Sequence, residues 1–321
     1  MIHRIQVLHH LAKIFMLLWP VGIGNISFLV VCTPVSLLVQ HHMPLHTNVG
    51  IDDIEWRSPY AKTRYKDIQM LESASNLPRA DKYYTGSLKR VALASENDIW
   101  SISSIPNDMN FITAAAFPVA YGTSHIGLNH KLKMQKGETL LVNGASGGVG
   151  LAAVQLAKAM GAIVIASAGS DEKLKIVSSQ GADHLINYNT EDTRQRMKDL
   201  TEGKGANIVF DTVGGKVFNA SLSAIAKEGR ILIVGFTSGE HSKAPTNIIL
   251  VKWASLISVR FGQFSRIYPE RTRKNHDNLI TLYEAGQLNP YVGKTYKLVD
   301  AVDALDALKS RQITGKVILV I

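Results

Sequence analysis

Cysteine is almost absent from this sequence, since Cys32 is the only one among 321 residues. One cysteine cannot form an intrachain disulfide, and it cannot supply the several thiolates of a zinc site. The paired histidines at 9–10 and 41–42 have no acidic residue beside them, so no metal site is predicted. The scarcity of cysteine favours a reducing compartment, and we expect a cytoplasmic protein.

Charged residues are absent from residues 14–39, and the first acidic residue of the chain is Asp52. An apolar run of this length can span a bilayer, and Arg4 and Lys13 precede it, as in a signal anchor or a transit peptide. Two prolines and two glycines interrupt the run, which instead favours two short buried strands or a hairpin. A membrane-anchored or mitochondrial protein is therefore the alternative to a cytoplasmic one.

The overall composition is that of a globular protein, with 46% hydrophobic and 19% charged residues. The length suits two ordinary domains. The formal net charge of +9 favours anionic partners, which include nucleic acid, membrane headgroups and phosphorylated cofactors. Charge alone does not choose among them.

From residue 85 onward, short runs rich in β-branched residues alternate with amphipathic stretches of helical length. Such alternation predicts an α/β fold with a doubly wound parallel sheet, the Rossmann fold. Gly161 and Gly181 lie where helices should end, while Ser170 and Asn189 or Thr190 lie where helices should begin. The predicted strands are residues 139–143, 163–168, 184–188, 207–211, 230–235 and 255–260.

A cluster of glycines follows the first of these strands, in the stretch LLVNGASGGVG at residues 140–150. Gly144, Gly147 and Gly150 form a G-x-x-G-x-x-G motif that opens the next helix, and Ser146 is small enough to keep the turn open. A diphosphate reaches the free amides at a helix N-terminus only where no Cβ intervenes. The motif predicts a dinucleotide-binding loop, and a tight turn without a ligand is the alternative.

The same loop also fits the G-x-x-x-G-x-G motif of short-chain reductases, through Gly144, Gly148 and Gly150. Those enzymes need a tyrosine with a lysine four positions later, because the lysine lowers the pKa of the phenol for proton transfer. No tyrosine of this chain is followed by lysine at that distance. The short-chain alternative is therefore disfavoured.

The end of the second strand indicates which dinucleotide binds. An NAD enzyme places a carboxylate there for the ribose 2′-OH, whereas this strand ends in Gly169 and Ser170. Asp171 comes next, but an acidic residue beside a capping serine is an ordinary helix start. Lys173 and Tyr188 lie close enough in the pattern to hold a 2′-phosphate, so we expect NADPH rather than NADH.

Residues 85–321 resemble a known family. The stretches FPVAYGTSHIGL, LLVNGASGGVGLAAVQLAKAMGA, GADHLINY, FDTVGG, GRILIVGF and TGKVILVI occur in the order typical of the zinc-independent quinone oxidoreductases, the zeta-crystallin branch of the medium-chain dehydrogenases. The resemblance implies a Rossmann domain joined to a β-rich GroES-like domain. It also implies hydride transfer from NADPH, without a metal, to a quinone or a conjugated enone. The single cysteine agrees with that branch, since the zinc-dependent relatives hold their metal with cysteines and a histidine.

The resemblance also implies where the cofactor lies. Thr123 would lie near the nicotinamide, and residues 255–264 would form the last sheet strand, which in this family often pairs across a homodimer. The glycine loop would carry the diphosphate. The full set of cofactor-binding residues expected from the sequence is Thr123, Gly144, Ser146, Gly147, Gly148, Val149, Gly150, Gly169, Ser170, Lys173, Tyr188, Gly235, Phe236 and Thr237.

The N-terminal part does not resemble the family, because the alternating strands and glycine turns of its substrate domain are not visible there. We expect a divergent segment at 1–82, a remnant of the GroES-like domain at 83–118, the NADPH-binding domain at 119–264 and a C-terminal return at 265–321. No catalytic residue is assigned, since the family's proton donor would come from the unmatched part. A non-catalytic NADPH-binding protein is the alternative, and its basic charge would allow it to bind RNA.

Overall fold

The computed structural model describes residues 28–32, 35–39 and 105–320. The expectations for residues 1–27 and 40–104 lie outside these ranges. They include the first half of the apolar run, most of the divergent segment and much of the GroES-like remnant. Within the described ranges, no helix is both long enough and apolar enough to cross a membrane.

The first described residues form two antiparallel strands. β1 (Phe28–Cys32) and β2 (Val35–Val39) pair so that Phe28 lies opposite Val39 and Cys32 lies opposite Val35. This half of the apolar run is therefore the strand pair that its prolines and glycines indicate, and it is not a helix.

A helix precedes the main sheet. α1 (Phe111–His125) begins after Asn110, whose side chain accepts a hydrogen bond from the Thr113 amide at 2.9 Å. The helix continues directly into a π-helix, Ile126–Lys131. Asparagine is among the preferred residues at this capping position, so the start of α1 follows from the local sequence.

Strands and helices then alternate as the sequence predicts. Their order is β3 (Thr139–Asn143), α2 (Gly148–Ala159), β4 (Ile163–Ala168), α3 (Asp171–Ser179), β5 (His184–Asn187), α4 (Thr193–Leu200), β6 (Ala206–Asp211), α5 (Gly215–Ser223), β7 (Ile225–Ile233), α6 (Thr246–Lys252) and β8 (Ser255–Ser258).

The six strands from β3 to β8 form one parallel sheet in the order β5-β4-β3-β6-β7-β8. Counted from β3, this is the 3-2-1-4-5-6 order of dinucleotide-binding folds. The predicted doubly wound sheet is confirmed. The strand order reverses between β3 and β6, and ligands of such sheets bind at the carboxyl ends of the strands beside this point.

Several predicted helix boundaries agree with the structure. Ser170 caps α3, since its hydroxyl accepts a hydrogen bond from the Lys173 amide at 3.4 Å. Gly161 and Gly181 follow the ends of α2 and α3 with φ values of +80° and +104°. Only glycine adopts such angles readily, so these positions end the two helices.

Two predicted boundaries are wrong. α4 does not begin at Asn189 or Thr190 but after Asp192, whose carboxylate accepts hydrogen bonds from two amides of the first turn. The last strand does not extend to residue 264, because β8 ends at Ser258 and a helix, α7 (Phe261–Ile267), follows.

The main sheet is covered on both faces. Leu140 and Val142 of β3 belong to a core cluster on one face, and Leu141 belongs to a cluster on the other; all three are completely buried. Because side chains alternate along a strand, this near-continuous apolar run is what a strand buried on both faces requires.

The C-terminal part returns to the N-terminal strand pair. It comprises α7, α8 (Pro269–Glu284), β9 (Val292–Lys297), a 3₁₀ turn (Leu298–Asp300), α9 (Ala301–Lys309) and β10 (Lys316–Val320). β10 pairs in parallel with both β1 and β9, giving a second sheet in the order β2-β1-β10-β9. Ile318 of β10 packs against Ala115 and Ala116, so α1 lies against both sheets.

Candidate functional site

The expected cofactor residues lie along one edge of the main sheet, where the parallel strands have their carboxyl ends. The glycine loop follows β3, Gly169 and Ser170 follow β4, and Tyr188 follows β5. Gly235, Phe236 and Thr237 come just after β7. The fold therefore brings together loops that are far apart in the chain, at the edge where such sheets bind their ligands.

Two glycines of the loop are required by the loop itself. Gly144 has a φ of +68°, and its carbonyl accepts a hydrogen bond from the Gly147 amide at 3.1 Å. A Cβ added at Gly150 would lie 2.3 Å from the Gly144 oxygen and 2.7 Å from the Ala145 Cα. A larger residue at Gly144 or Gly150 would therefore distort the turn whether or not a ligand is present.

Gly147 is different, because nothing within the described part of the chain requires a glycine there. Its φ of −77° and ψ of 163° suit any residue, and it is the N-cap of α2. A Cβ added at Gly147 would meet only the Gly144 oxygen, at an ordinary 3.5 Å. The protein thus leaves this space open beside the first turn of a helix, whose N–H groups and dipole favour an anion.

The loop is held in place by elements on both sides. Ser124 of α1 donates a hydrogen bond to the Val149 carbonyl at 2.9 Å, and its neighbour Thr123 is also buried. The Gly315 amide, just before β10, donates to the Ser146 carbonyl at 2.8 Å. Residues Ser146 and Val149 therefore keep a fixed position without needing a ligand.

A buried polar network fixes the ends of the central strands. The Asn143 amide nitrogen donates to Asp211 at 3.0 Å and to Ser221 at 2.8 Å, and its oxygen accepts from Ser167 at 2.9 Å. Asp211 also accepts a bond from the Gly214 amide at 3.1 Å. Burial raises the pKa of Asp211, although these hydrogen bonds act in the opposite direction. The network joins β4, β3 and β6 directly next to the glycine loop and so preorganises it.

Gly169 and Tyr188 lie together at the ends of β4 and β5. A Cβ added at Gly169 would be 3.1 Å from the Tyr188 hydroxyl, and the Asn189 side chain donates to the Gly169 carbonyl at 2.7 Å. Asp171 is turned away, since its carboxylate accepts a bond from Asn187 at 2.8 Å. As expected from the sequence, Asp171 belongs to a helix start.

Arg311 also belongs to this group, although the sequence motifs did not identify it. Its guanidinium donates to the Thr237 carbonyl at 2.6 Å, and Lys173 donates its ammonium proton to the Arg311 carbonyl at 2.7 Å. Burial raises the pKa of Tyr188, and the charge of Arg311 acts in the opposite direction. The only sequence signal for Arg311 is its position three residues before the TGKVILVI stretch. That stretch runs beside the glycine loop, where the Gly315 amide bonds to the Ser146 carbonyl.

The loops after β6 and β7 form the other side of the crevice. The Thr237 amide donates to the Thr212 carbonyl at 3.1 Å, and a Cβ added at Gly235 would lie 3.6 Å from the same oxygen. The Phe236 ring is 38% exposed and meets the His241 ring edge-on at 4.8 Å. Gly235, Phe236 and Thr237 therefore form one continuous surface with the loop after β6.

The arrangement suits a ligand with two separate phosphate groups. The open space at Gly147 lies at a helix N-terminus, and Lys173, Arg311 and Tyr188 offer donors to a second anion. Among residues 105–320 and the two N-terminal strands, no three His, Cys, Asp or Glu side chains lie together as a metal site.

Comparison with known proteins assigns the same region to dehydrogenases. Residues 148–276 match a family model described as zinc-binding dehydrogenase. A quinone oxidoreductase-like protein 2 homolog from Nematostella vectensis is 37% identical over 235 residues, which cover 73% of this chain and 64% of the relative. The quinone oxidoreductase of Pseudomonas aeruginosa is 32% identical over 217 residues, which cover 67% of this chain and 66% of the relative.

Solved structures agree with these relatives. A quinone oxidoreductase of Pseudomonas syringae pv. Tomato is 30% identical, with 68% of each chain covered and a TM-score of 0.63. The Escherichia coli quinone oxidoreductase complexed with NADPH is 29% identical, again with 68% of each chain covered and a TM-score of 0.63. The chain spans 64% of the length of the first relative and 66% of the second, so the similarity does not extend over their whole chains.

Proposed function

This chain belongs to the zinc-independent quinone oxidoreductase branch of the medium-chain dehydrogenases, and from that premise we propose that it is an NADPH-dependent reductase. It transfers a hydride to a quinone or a conjugated enone without a metal. Because the chain spans only about two thirds of its relatives' length, the proposal rests on the geometry of the cofactor site.

The space at Gly147 is the observation that carries the proposal. A glycine whose Cβ would meet only one protein atom, at 3.5 Å, is not needed for packing. It lies at the N-terminus of α2 in the crevice beside the reversal of strand order, where dinucleotide diphosphates bind. A relative of similar fold is described as complexed with NADPH, which supports the same ligand here.

The edge beyond β4 favours NADPH over NADH. Lys173, Arg311 and the Tyr188 hydroxyl converge there, while the carboxylate of Asp171, which follows β4, is bonded to Asn187. Cationic donors stabilise a 2′-phosphate, and a free carboxylate in this position would repel it. Gly169 and Ser170 keep the approach to these groups clear of large side chains.

NADPH supplies a hydride when it is bound. A quinone or a conjugated enone accepts it without a Lewis acid, because the added charge is delocalised onto an oxygen that takes a proton from water or a hydroxyl. We propose that the glycine loop and the surface of Gly235, Phe236 and Thr237 orient the dinucleotide, with Thr123 next to the reacting ring. Saturated ketones and alcohols are expected to be poor substrates.

We further propose a homodimer through the free edge of the main sheet. β8 is the last strand of that sheet and leaves its backbone groups unpaired on one side within the described residues. Exposed apolar side chains accompany this edge, namely Leu250, Val251, Trp253 and Leu256. A second copy would cover both the unpaired strand and the apolar surface.

The function is tested by following NADPH oxidation with a small ortho-quinone. We expect turnover by the wild-type protein and none by Gly147→Val, whose side chain would fill the space for the diphosphate. The melting temperature of Gly147→Val should stay close to wild type. By contrast, Gly150→Ala should lower the free energy of unfolding by roughly 1–3 kcal/mol, because its Cβ overlaps the backbone. Folded wild-type protein that turns over no quinone or enone would contradict the proposal.

A further inference from the structure

A second group of charged and aromatic side chains lies where the π-helix meets the turn between α7 and α8. The ring centroids of His130 in the π-helix and Phe264 in α7 are 5.3 Å apart, and those of Phe264 and Tyr268 are 5.1 Å apart. The Arg271 guanidinium of α8 lies over the Tyr268 ring, 4.7 Å from its centroid. These contacts join three elements into one surface. Its exposed residues, which we call the α7–α8 face, are His130, Lys131, Lys133, Ile267, Tyr268 and Arg271.

The two segments that form this face are strongly basic. Residues 126–137 carry three lysines and no acidic residue. Residues 261–276 carry three arginines and one lysine, and Glu270 is their single acidic residue. An excess of one charge on a surface attracts partners of the opposite charge, so the α7–α8 face favours an anionic partner.

The positive charges of the face are not neutralised by their described neighbours. Within the described ranges, no carboxylate forms an ion pair with Lys131, Lys133 or Arg271. Partial burial lowers the pKa of His130, and the charges of Arg271, Lys131 and Lys133 lower it further. The three cations therefore lie close enough to His130 to act on one another's surroundings.

Two consecutive apolar side chains accompany these cations. Ile267, the last residue of α7, is 57% exposed, and Tyr268 is 43% exposed. Apolar side chains next to lysine and arginine are typical of surfaces that lie in the interface of a bilayer. Tyrosine suits that depth, because its ring is apolar and its hydroxyl stays in contact with water.

A nucleic acid would also be attracted by the charges, but it fits the other residues of the face less well. Single-stranded nucleic acids stack their bases on open aromatic rings. The Tyr268 ring is covered by the Arg271 guanidinium, and the Phe264 ring lies beside it at an angle of 51°. An exposed isoleucine has no part in base stacking, whereas it gains by entering a bilayer interface. The observations therefore favour lipid over nucleic acid.

We propose that the α7–α8 face binds the surface of an anionic lipid bilayer. Its cations contact the negative headgroups, while Ile267 and Tyr268 enter the headgroup region. The binding is reversible and weakens with salt, because exposed charges are screened. It does not depend on the proposed function. One consequence does rest on that function: a bound quinone reductase would lie beside the membrane, where quinones with apolar tails dissolve.

Sedimentation of the whole protein with lipid vesicles tests the proposal. One set of vesicles is pure phosphatidylcholine, and the other contains about 30% phosphatidylserine, which gives it a negative surface. We expect the protein to bind only the vesicles that contain phosphatidylserine. Raising NaCl from about 0.1 M to about 0.5 M should weaken this binding by about tenfold or more.

The charges are tested with the double variant Lys131→Gln and Lys133→Gln. Its partition coefficient for the anionic vesicles should fall by about 10- to 30-fold, because each basic residue near such a surface contributes several-fold to binding. The matched control is the double variant Lys198→Gln and Lys309→Gln, which removes two exposed lysines of α4 and α9 and has the same net charge. The control should bind these vesicles as the wild type does.

The apolar contribution is tested with Ile267→Asn. Its partition coefficient should fall by about 5- to 10-fold, because less apolar surface leaves water when the protein binds. Val299→Asn is the matched control, since Val299 is 67% exposed in the 3₁₀ turn before α9. It should leave the partition coefficient unchanged.

Three results would overturn the proposal: no binding of folded wild-type protein to the anionic vesicles, an equal loss in the lysine control, or unchanged binding of Ile267→Asn. If a single-stranded RNA oligonucleotide bound through Lys131 and Lys133 and the vesicles did not, the face would serve a nucleic acid instead.

NADPH titration separates this proposal from the proposed function. The segment after His130 leads to the amino end of β3, whereas the cofactor loops follow the carboxyl ends of the strands. The double variant of Lys131 and Lys133 should therefore bind NADPH as the wild type does. A wild-type protein that bound no NADPH would overturn the proposed function and leave the vesicle result standing.

Discussion

Single glycines of the same loop serve different purposes. Gly144 and Gly150 are required by the turn, because φ is positive at the first and a Cβ at the second would lie only 2.3 Å from the Gly144 oxygen. Gly148 makes room for Lys316, and only Gly147 faces space that a ligand can use. The motif predicts the loop correctly but does not show which glycine serves which purpose. That depends on the folded structure, in which Gly144 lies against Thr212, Gly150 against Ala145 and Gly148 against Lys316.

Arg311 and Lys173 give a prediction about cofactor preference. Arg311→Met should raise the Kd for NADPH by about 10- to 100-fold, because a cationic partner of the 2′-phosphate is lost, and should change the Kd for NADH by less than about threefold. Lys173→Met should act in the same direction. Fluorescence titration of each variant with each cofactor measures the ratio of the Kd for NADPH to the Kd for NADH.

Lys309→Met is the control for this prediction, since Lys309 is an exposed lysine two residues before Arg311 at the end of α9. Lys309→Met should leave the Kd for NADPH and the Kd for NADH near their wild-type values. An equal loss of affinity for NADPH and for NADH in Arg311→Met would mean that the 2′-phosphate binds elsewhere.

The predictability of a residue's role depends on how local its contacts are. Ser170 was predicted correctly as a cap because its partner, the Lys173 amide, is three residues away. The sequence motifs do not identify Arg311, because its partners, Lys173 and Thr237, are separated from it by 138 and 74 residues. Only the return of the C-terminal segment to this edge brings them together.

Among the elements, the packing of α8 on α1 depends on two buried histidines. His125 of α1 lies 2.5 Å from the Asn275 side chain of α8, and His276 meets the Phe117 ring edge-on at 6.4 Å. The Nε2 atom of His276 has no hydrogen-bond partner within the described residues. Burial lowers the pKa of both histidines below their ordinary value of 6.5, while the Asn275 bond and Asp277 act in the opposite direction.

This packing predicts acid sensitivity. A lowered pKa means that the folded state holds fewer protons than the unfolded state, so the stabilising contribution is complete above pH 6.5 and is lost as the pH falls below it. Urea unfolding at several pH values should show a steeper loss for wild type than for His276→Phe. His241→Gln, an exposed histidine variant, should follow the wild type. If the free energy of unfolding of His276→Phe fell with pH as steeply as that of the wild type, His276 would not be a source of the acid sensitivity.

Whole elements were predicted better than their ends. The strands of the main sheet and their order follow from short apolar runs between helices, because a doubly wound sheet buries its central strands on both faces. The end of β8 was misplaced because the apolar residues of SLISVRFGQF continue from the strand into α7. The apolar pattern shows that both segments are partly buried, but it does not show where the backbone changes conformation.

At the scale of the whole molecule, the C-terminal segment connects two sheets and the cofactor site. Arg311 reaches the loop after β7, Gly315 bonds to the glycine loop, and β10 then pairs with β1 and β9. A shift of the second sheet relative to the first would therefore move Arg311 and Lys316 together. The family resemblance implies a C-terminal return at 265–321, but no motif predicts these contacts, since they arise from the parallel pairing of strands from opposite ends of the chain.

The free edge of the main sheet predicts the oligomeric state. If β8 pairs with its copy, light scattering after size exclusion should give a dimer for the wild type. Leu256→Lys should raise the Kd of the dimer by about a hundredfold, because the substitution would place two lysines close together across the paired β8 strands. Leu256 is 39% exposed, and Val302 on α9 is exposed to a similar 44%, so Val302→Lys is the matched control and should remain a dimer. A wild-type monomer at all concentrations tested, or a Leu256→Lys dimer as stable as wild type, would show that this edge does not pair and that its apolar residues have another purpose.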